Sequence, residues 1–233
     1  MLDDNVRLTI SPPKTEAELL ARCHVLAGKT LGQIAAQLNV TVPENLQRHK
    51  GWVGNLLENY LGANAGNKAA PDFMDLDIEM KTLPLNVQGQ PKESTYVCTV
   101  SMQQSDNLLW QESWVRHKLA HVLWVPVEGD PSIPLAERYV GNAWLWQPSK
   151  IQEATLKQDW EELMDYIVLG HQEGLTAKHG EYLQIRPKAA NGKVLQIGIS
   201  ENGVTNKTNP KGFYLRTSFT RNILAINKSI NES

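Results

Sequence analysis

Three features of the chain predict a mixed α/β fold. Segments with helical apolar spacing are interspersed with short strand-like runs, no internal repeat or low-complexity tract interrupts them, and no apolar run approaches membrane-spanning length. At 233 residues, 41% of them hydrophobic, the chain can bury a substantial core. It is long for one domain and short for two full ones, which points to one domain, residues 1–233, with two lobes around a cleft.

Helical patterns occupy about 16–38 and 50–61. In the second, Trp52, Val53, Leu56, Leu57, Tyr60 and Leu61 share one broad face and Gly62 is the natural stop. Strand patterns follow near 77–83 and 94–102, and the alternating run Thr95–Val100 is expected to pair with the first of them. Val115–His121 reads as a short helix and Val122–Val127 as a buried strand. Ala154–Leu169, carrying Trp160, Leu163, Met164 and Ile167 at helical spacing, is a strong helix. Short strands near 181–186 and 212–216 precede a closing helix over about 217–227. The expected linkers are 64–71, 128–134 and 200–211.

The densest chemistry lies between Pro71 and Lys81. In the strand Ile78-Glu79-Met80-Lys81-Thr82-Leu83 every second side chain points to one face, so Glu79 and Lys81 project together while Ile78 and Met80 face a core. Asp72 lies just upstream, where a turn or preceding strand can return its carboxylate to Glu79. Two carboxylates and an ammonium in one volume suit phosphodiester hydrolysis. A Mg²⁺ ion needs only one or two protein carboxylates, its other positions going to water and phosphate, and a lysine beside it can stabilise developing charge. At about 100° per residue, Glu58 sits roughly 60° beyond Leu61, at the helix edge, as a third acidic candidate. The bland alternative is an ordinary strand and helix with solvated charges.

A net charge of −2 and a pI near 6.3 do not by themselves mark a nucleic-acid partner. Distribution is more informative. Residues 178–233 hold nine Lys or Arg against three Asp or Glu, including Arg186, Lys188, Lys193, Lys207, Lys211 and Arg216, so the remaining residues are net acidic. Cys23 and Cys98 lack metal-ligand spacing and fit reduced thiols. The acidic start Met1-Leu2-Asp3-Asp4-Asn5 lacks a signal-peptide core, which leads us to expect a cytoplasmic protein with no membrane association.

Lys50-Gly51-Trp52-Val53-Gly54, Asp72-Phe73, Glu79-Met80-Lys81-Thr82, Val115-Arg116-His117-Lys118-Leu119, Ile133-Pro134-Leu135-Ala136-Glu137-Arg138, Asp159-Trp160-Glu161-Glu162-Leu163-Met164-Asp165, Gln184-Ile185-Arg186-Pro187-Lys188-Ala189-Ala190-Asn191 and Gly212-Phe213-Tyr214-Leu215 form an ordered series. The series resembles the MutH family, the strand-discriminating endonucleases of bacterial mismatch repair, from about Leu19 to about Leu224. His49 and Trp114 depart from the family pattern, and neither is a candidate ligand.

The resemblance implies a restriction-endonuclease-like fold of the PD-(D/E)xK class, a mixed β-sheet flanked by helices with two lobes around a DNA-binding cleft. It also implies nicking of the unmethylated strand at hemimethylated GATC sites on activation by MutL, by a protein monomeric in isolation. Double-stranded DNA with hemimethylated or unmethylated GATC is then the substrate, and Mg²⁺ the cofactor, with Mn²⁺ or Ca²⁺ able to substitute for binding. Carried onto matching positions, Asp72 and Glu79 are metal ligands, Lys81 the catalytic lysine, Glu58 the helix-borne acidic partner and Lys118 a further catalytic lysine. Lys50, Arg186, Pro187, Lys188 and Tyr214 fall on DNA, with Tyr214 sensing a methyl group on adenine N6. An arginine can read guanine bidentately and adenine N6 is a major-groove donor, so that division of labour is physically reasonable.

Two other readings carry distinct outcomes. A restriction enzyme that cuts both strands as a stable dimer would linearise plasmid, and a DNA-binding repair module with a dead site would cut nothing. Zinc is disfavoured at His117-Lys118-Leu119-Ala120-His121, where a lysine stands in place of the glutamate of a zinc-protease motif. Gly62–Ala69 lacks the glycine spacing and hydroxyl of a phosphate-binding loop, so nucleotide hydrolysis is not expected.

Overall fold

The computed structural model describes residues 10–46, 49–66, 68–100, 109–169, 171, 179–188, 196–199, 205–208 and 210–231. Lys193 and the Met1–Asn5 segment lie outside them. The chain divides into two compact units, Met1–Lys92 with His121–Trp146, and Glu93–Ala120 with Gln147–Ser233.

In the first unit the predicted opening helix is two helices, α1 (Glu16–Leu26) and α2 (Leu31–Gln37). Gly28 has φ +80°, a conformation that favours glycine, and the break is sealed on one side by the Ala27 amide donating to the Cys23 carbonyl and on the other by the capping box of Thr30 and Gln33. Helix α3 (Trp52–Leu61) ends at Gly62, whose φ of +86° and amide bond to the Glu58 carbonyl terminate it where glycine predicts. Strand β1 (Glu79–Leu85) pairs in parallel with β3 (Val122–Glu128), which pairs antiparallel with β4 (Trp144–Trp146). The core joins Leu19, Leu26, Ile34, Leu56, Leu57, Leu61, Phe73, Ile78, Leu123 and Val125, all buried. Trp124 is also buried and stacks on Trp144 with ring centroids 6.4 Å apart.

The second unit is built on an antiparallel sheet ordered β2 (Thr95–Thr99), β8 (Lys211–Leu215), β5 (Leu183–Pro187). Pairing of Thr95–Val100 with the Glu79 strand is therefore corrected. Strand β2 buries only Val97 and exposes Tyr96 and Thr99, whereas β1 and β3 are largely buried on both faces and pair with each other. Helix α4 (Trp114–Leu119) is capped by Ser113 and packs by β2. Helix α5 (Lys150–Val168) starts earlier than predicted because Ser149 and Gln152 form a capping box, and it packs on β5. The segment 200–211, expected to be a linker, contains β7 (Thr205–Thr208), paired with β6 (Gln196–Ile199). Helix α6 (Thr217–Asn231) closes the chain, with Phe219 against Tyr182 at 4.5 Å between ring centroids.

Candidate active site

The first unit brings Asp72, Glu79 and Lys81 to one place. After α3, the amides of Asn64 and Ala65 donate to the Asp72 carbonyl at 2.9 and 3.3 Å, and the Asn64 side-chain oxygen accepts from the Met74 amide at 3.0 Å. A 3₁₀ turn at Met74–Leu76 and Asp77, at φ +54°, then reverse the chain, so that Phe73 and Ile78 form an antiparallel bridge. This tight reversal returns Asp72 to β1, where its Oδ2 accepts from the Met80 amide at 2.8 Å.

On β1, Glu79 and Lys81 occupy one face by strand alternation. They are 6% and 7% exposed, and Lys81 Nζ donates to Glu79 Oε1 at 3.2 Å. Solvated charges are thereby ruled out. A buried carboxylate and ammonium carry a desolvation cost that an isolated pair does not reliably recover. Ile78 and Met80 are buried on the opposite face, as predicted.

Glu58 is half-buried on α3, the helix packed on β1. Lys50 is exposed immediately before that helix, and Lys118 is half-buried in α4 of the second unit. The donors that Asp72 and Glu79 offer are hard carboxylate oxygens, suited to a divalent cation that retains water. No group of three or more His, Cys, Asp or Glu residues is placed to hold a metal among the described residues. Helix α4 ends at Leu119, so His117 and His121 do not share a helical face.

The second unit holds four of the five expected DNA-facing residues, Arg186, Pro187, Lys188 and Tyr214, on or beside its sheet, while Lys50 belongs to the first unit. Arg186, Pro187 and Lys188 are exposed at the end of β5, and Tyr214 is half-buried on β8. The Arg186 guanidinium lies 5.8 Å from the centre of the Tyr214 ring. Burial, then the neighbouring Tyr96, raises the Tyr214 phenol above the usual tyrosine range, against the lowering influence of Arg186 and Lys188. Arg216, by contrast, is turned inward, donating to the His179 carbonyl at 2.6 Å, and does not belong with the exposed cations.

Sequence reasoning missed Asn64, which fell in an expected linker and has no periodic signal. It also missed Ser94, Tyr96 and Thr99, whose proximity to Arg186 and Lys188 depends on a sheet order that no local pattern encodes. Neither cysteine is in a disulfide, and burial pushes the Cys23 thiol up to about 12. No helix among the described residues is long and apolar enough to cross a membrane.

A family profile described as "MutH: DNA mismatch repair enzyme MutH" matches residues 61–159, the stretch that contains all of β1. The DNA mismatch repair protein MutH of Shewanella sp. (strain W3-18-1) is 54% identical over 215 residues, covering 92% of this chain and 96% of its own. The protein of that name from Escherichia coli O9:H4 (strain HS) is 52% identical over 219 residues, covering 94% and 96%. The mixed α/β architecture agrees with the fold that the resemblance implies. With relatives this similar along nearly their whole length, the chain belongs to the MutH family of DNA mismatch repair enzymes.

Proposed function

We propose that the protein is a Mg²⁺-dependent DNA endonuclease that nicks the unmethylated strand at hemimethylated GATC sites when activated by MutL. The observation that carries the reading is the buried Glu79–Lys81 pair with Asp72 fastened to the Met80 amide between them. Asp72 and Glu79 would hold the cation. When bound, Mg²⁺ would polarise the scissile phosphate and acidify an attacking water.

The chain's own groups have separable tasks. Asp72 is held by its main chain and its carboxylate together, so its orientation does not depend on the ligand. Lys81 is restrained by Glu79 and is confined to a small volume, where its ammonium can stabilise charge developing on water or phosphoryl oxygens. Glu58, from α3, adds an acidic group on the helix packed on β1. We assign Lys118 a supporting role toward the scissile phosphate. Lys50, Arg186, Pro187 and Lys188 contact the duplex, and Tyr214 reads the adenine amine.

A supercoiled plasmid carrying GATC, incubated with the protein and MutL, tests this directly. Relaxed circles that form with Mg²⁺ and not with chelator are expected, and Lys81→Ala is expected to lose nicking by about 10³-fold or more while still binding DNA. Linear product would favour a double-strand cutter, and undiminished nicking by Lys81→Ala would remove the mechanism.

A further inference from the structure

The sheet of the second unit carries a cross-strand arrangement that the site as described above does not use. Its register sets Arg186 opposite Gly212 and Gly212 opposite Thr99, with Gln184, Tyr214 and Tyr96 forming the adjacent row. Gly212 has no side chain. A Cβ there would lie 2.9 Å from Tyr96 Cε2 and 3.2 Å from Tyr214 Cε2, so the central strand is bare where the two ring edges need the space.

Arg186 on β5 and Lys188 just after it reach across β8 to hydroxyls on or beside β2. Arg186 Nη1 donates to Ser94 Oγ at 2.6 Å, and Lys188 Nζ donates to Thr99 Oγ1 at 2.8 Å. Each cation also rests near an aromatic ring, Lys188 Nζ lying 5.1 Å from the Tyr96 centroid. The Tyr96 hydroxyl is 2.8 Å from Thr99 Oγ1, and the Tyr96 and Tyr214 rings meet edge to face at 5.4 Å.

Exposed Arg and Lys side chains are ordinarily mobile, and ordering them on ligand binding weakens affinity. Here both are tethered in the free protein. Hydrogen bonds between such exposed groups add little to folding stability, so their consequence falls on how the cations are presented. We propose that Ser94 and Thr99 are positioning residues for DNA recognition, Ser94 orienting Arg186 for a base edge and Thr99 holding Lys188 for the backbone. The proposal rests on the reading that Arg186 and Lys188 contact DNA.

Its test is the equilibrium binding of the full-length protein to two duplexes of equal length, one with GATC and one with the four bases scrambled. Ca²⁺ replaces Mg²⁺ so that binding is measured without cleavage. Ser94→Ala is expected to reduce the preference for GATC about three- to tenfold, the size of one hydrogen bond. Ser94→Thr restores it, and Ser94→Ala adds less than about twofold in an Arg186→Ala background. Thr99→Val weakens both duplexes to a similar extent, Thr99→Ser restores binding, and Thr99→Val adds nothing further to Lys188→Ala. Thermal melting and the conservative variants separate these effects from misfolding.

Unchanged binding by Ser94→Ala and Thr99→Val, alongside a marked loss in Arg186→Ala and Lys188→Ala, overturns the inference and leaves the DNA-contact reading standing. Effects that add in full to those of the cation variants also overturn it, because the hydroxyls would then act independently. If Arg186→Ala and Lys188→Ala themselves bind like the unaltered protein, the reading and the inference fall together.

Discussion

At the scale of single residues, environment decides role. Glu79 and Lys81 look like any charged pair on a strand until their burial is known, because alternation fixes which face they share and says nothing of what covers it. Tyr214 shows the same limit. Its position in the MutH-like Gly212–Leu215 motif suggested base reading, whereas the contacts with Arg186 and Tyr96 that tune it come from other strands. Removing the ring by Tyr214→Ala is expected to reduce discrimination between methylated and unmethylated GATC about tenfold or more, measured as a ratio of nicking rates. The raised phenol pKa adds a sign to this prediction. Ionisation is shifted upward in the fold, so the hydroxyl is neutral below the usual tyrosine range and its stabilising contribution is lost only as pH rises through the elevated folded value. Discrimination should therefore stay flat between pH 7 and about 9. A break near pH 8 that tracks Tyr214 in a Tyr214→Phe comparison would contradict it.

At the scale of elements, the stop at Gly62 and the apolar runs were more legible than N-caps or strand partners. Gly62 was readable as the end of α3 and Val122–Val127 as a buried strand, because glycine chemistry and apolar runs are local. The break at Gly28, the β6–β7 pairing and the partner of β2 were not, since the first is one glycine among many and the others depend on distant chain segments. Asp159 illustrates a link invisible in sequence. It is 4% exposed within α5, and its carboxylate accepts from the amides of Glu181, Tyr182 and Leu183 at 2.8, 2.6 and 2.8 Å, fastening the start of β5 to the helix. An asparagine keeps the shape but turns an amide donor toward these donors. Asp159→Asn is therefore expected to destabilise the protein by about 2–3 kcal/mol, seen as a loss in chemical-denaturation midpoint, and to loosen β5 by hydrogen exchange. Protection at β5 equal to that of the unaltered protein would show that the carboxylate does not anchor the strand.

For the whole molecule, net charge is a poor guide and its placement a better one. The chain is formally −2, yet nine of its basic residues lie in 178–233 against three acidic ones, and three of those cations, Arg186, Lys188 and Lys211, lie in or directly beside the sheet that carries Tyr214. The acidic remainder includes the carboxylates proposed to hold the cation, so the two kinds of charge are segregated by chemistry. A protein so arranged can bind a polyanion despite a pI near 6.3, because each neutralised phosphate releases counterions locally. Affinity for duplex DNA should thus fall steeply with salt, and the slope of log affinity against log salt counts the contacts. Lys188→Ala, which removes an exposed cation whose Nζ is held by Thr99, should lessen that slope by about one and weaken GATC and scrambled duplexes alike. Arg216→Ala should leave the slope unchanged, since that side chain is turned to the His179 carbonyl, and should lower thermal stability instead. A slope that responds to Arg216 and not to Lys188 would place the DNA on a different face of the protein from the one its exposed cations define.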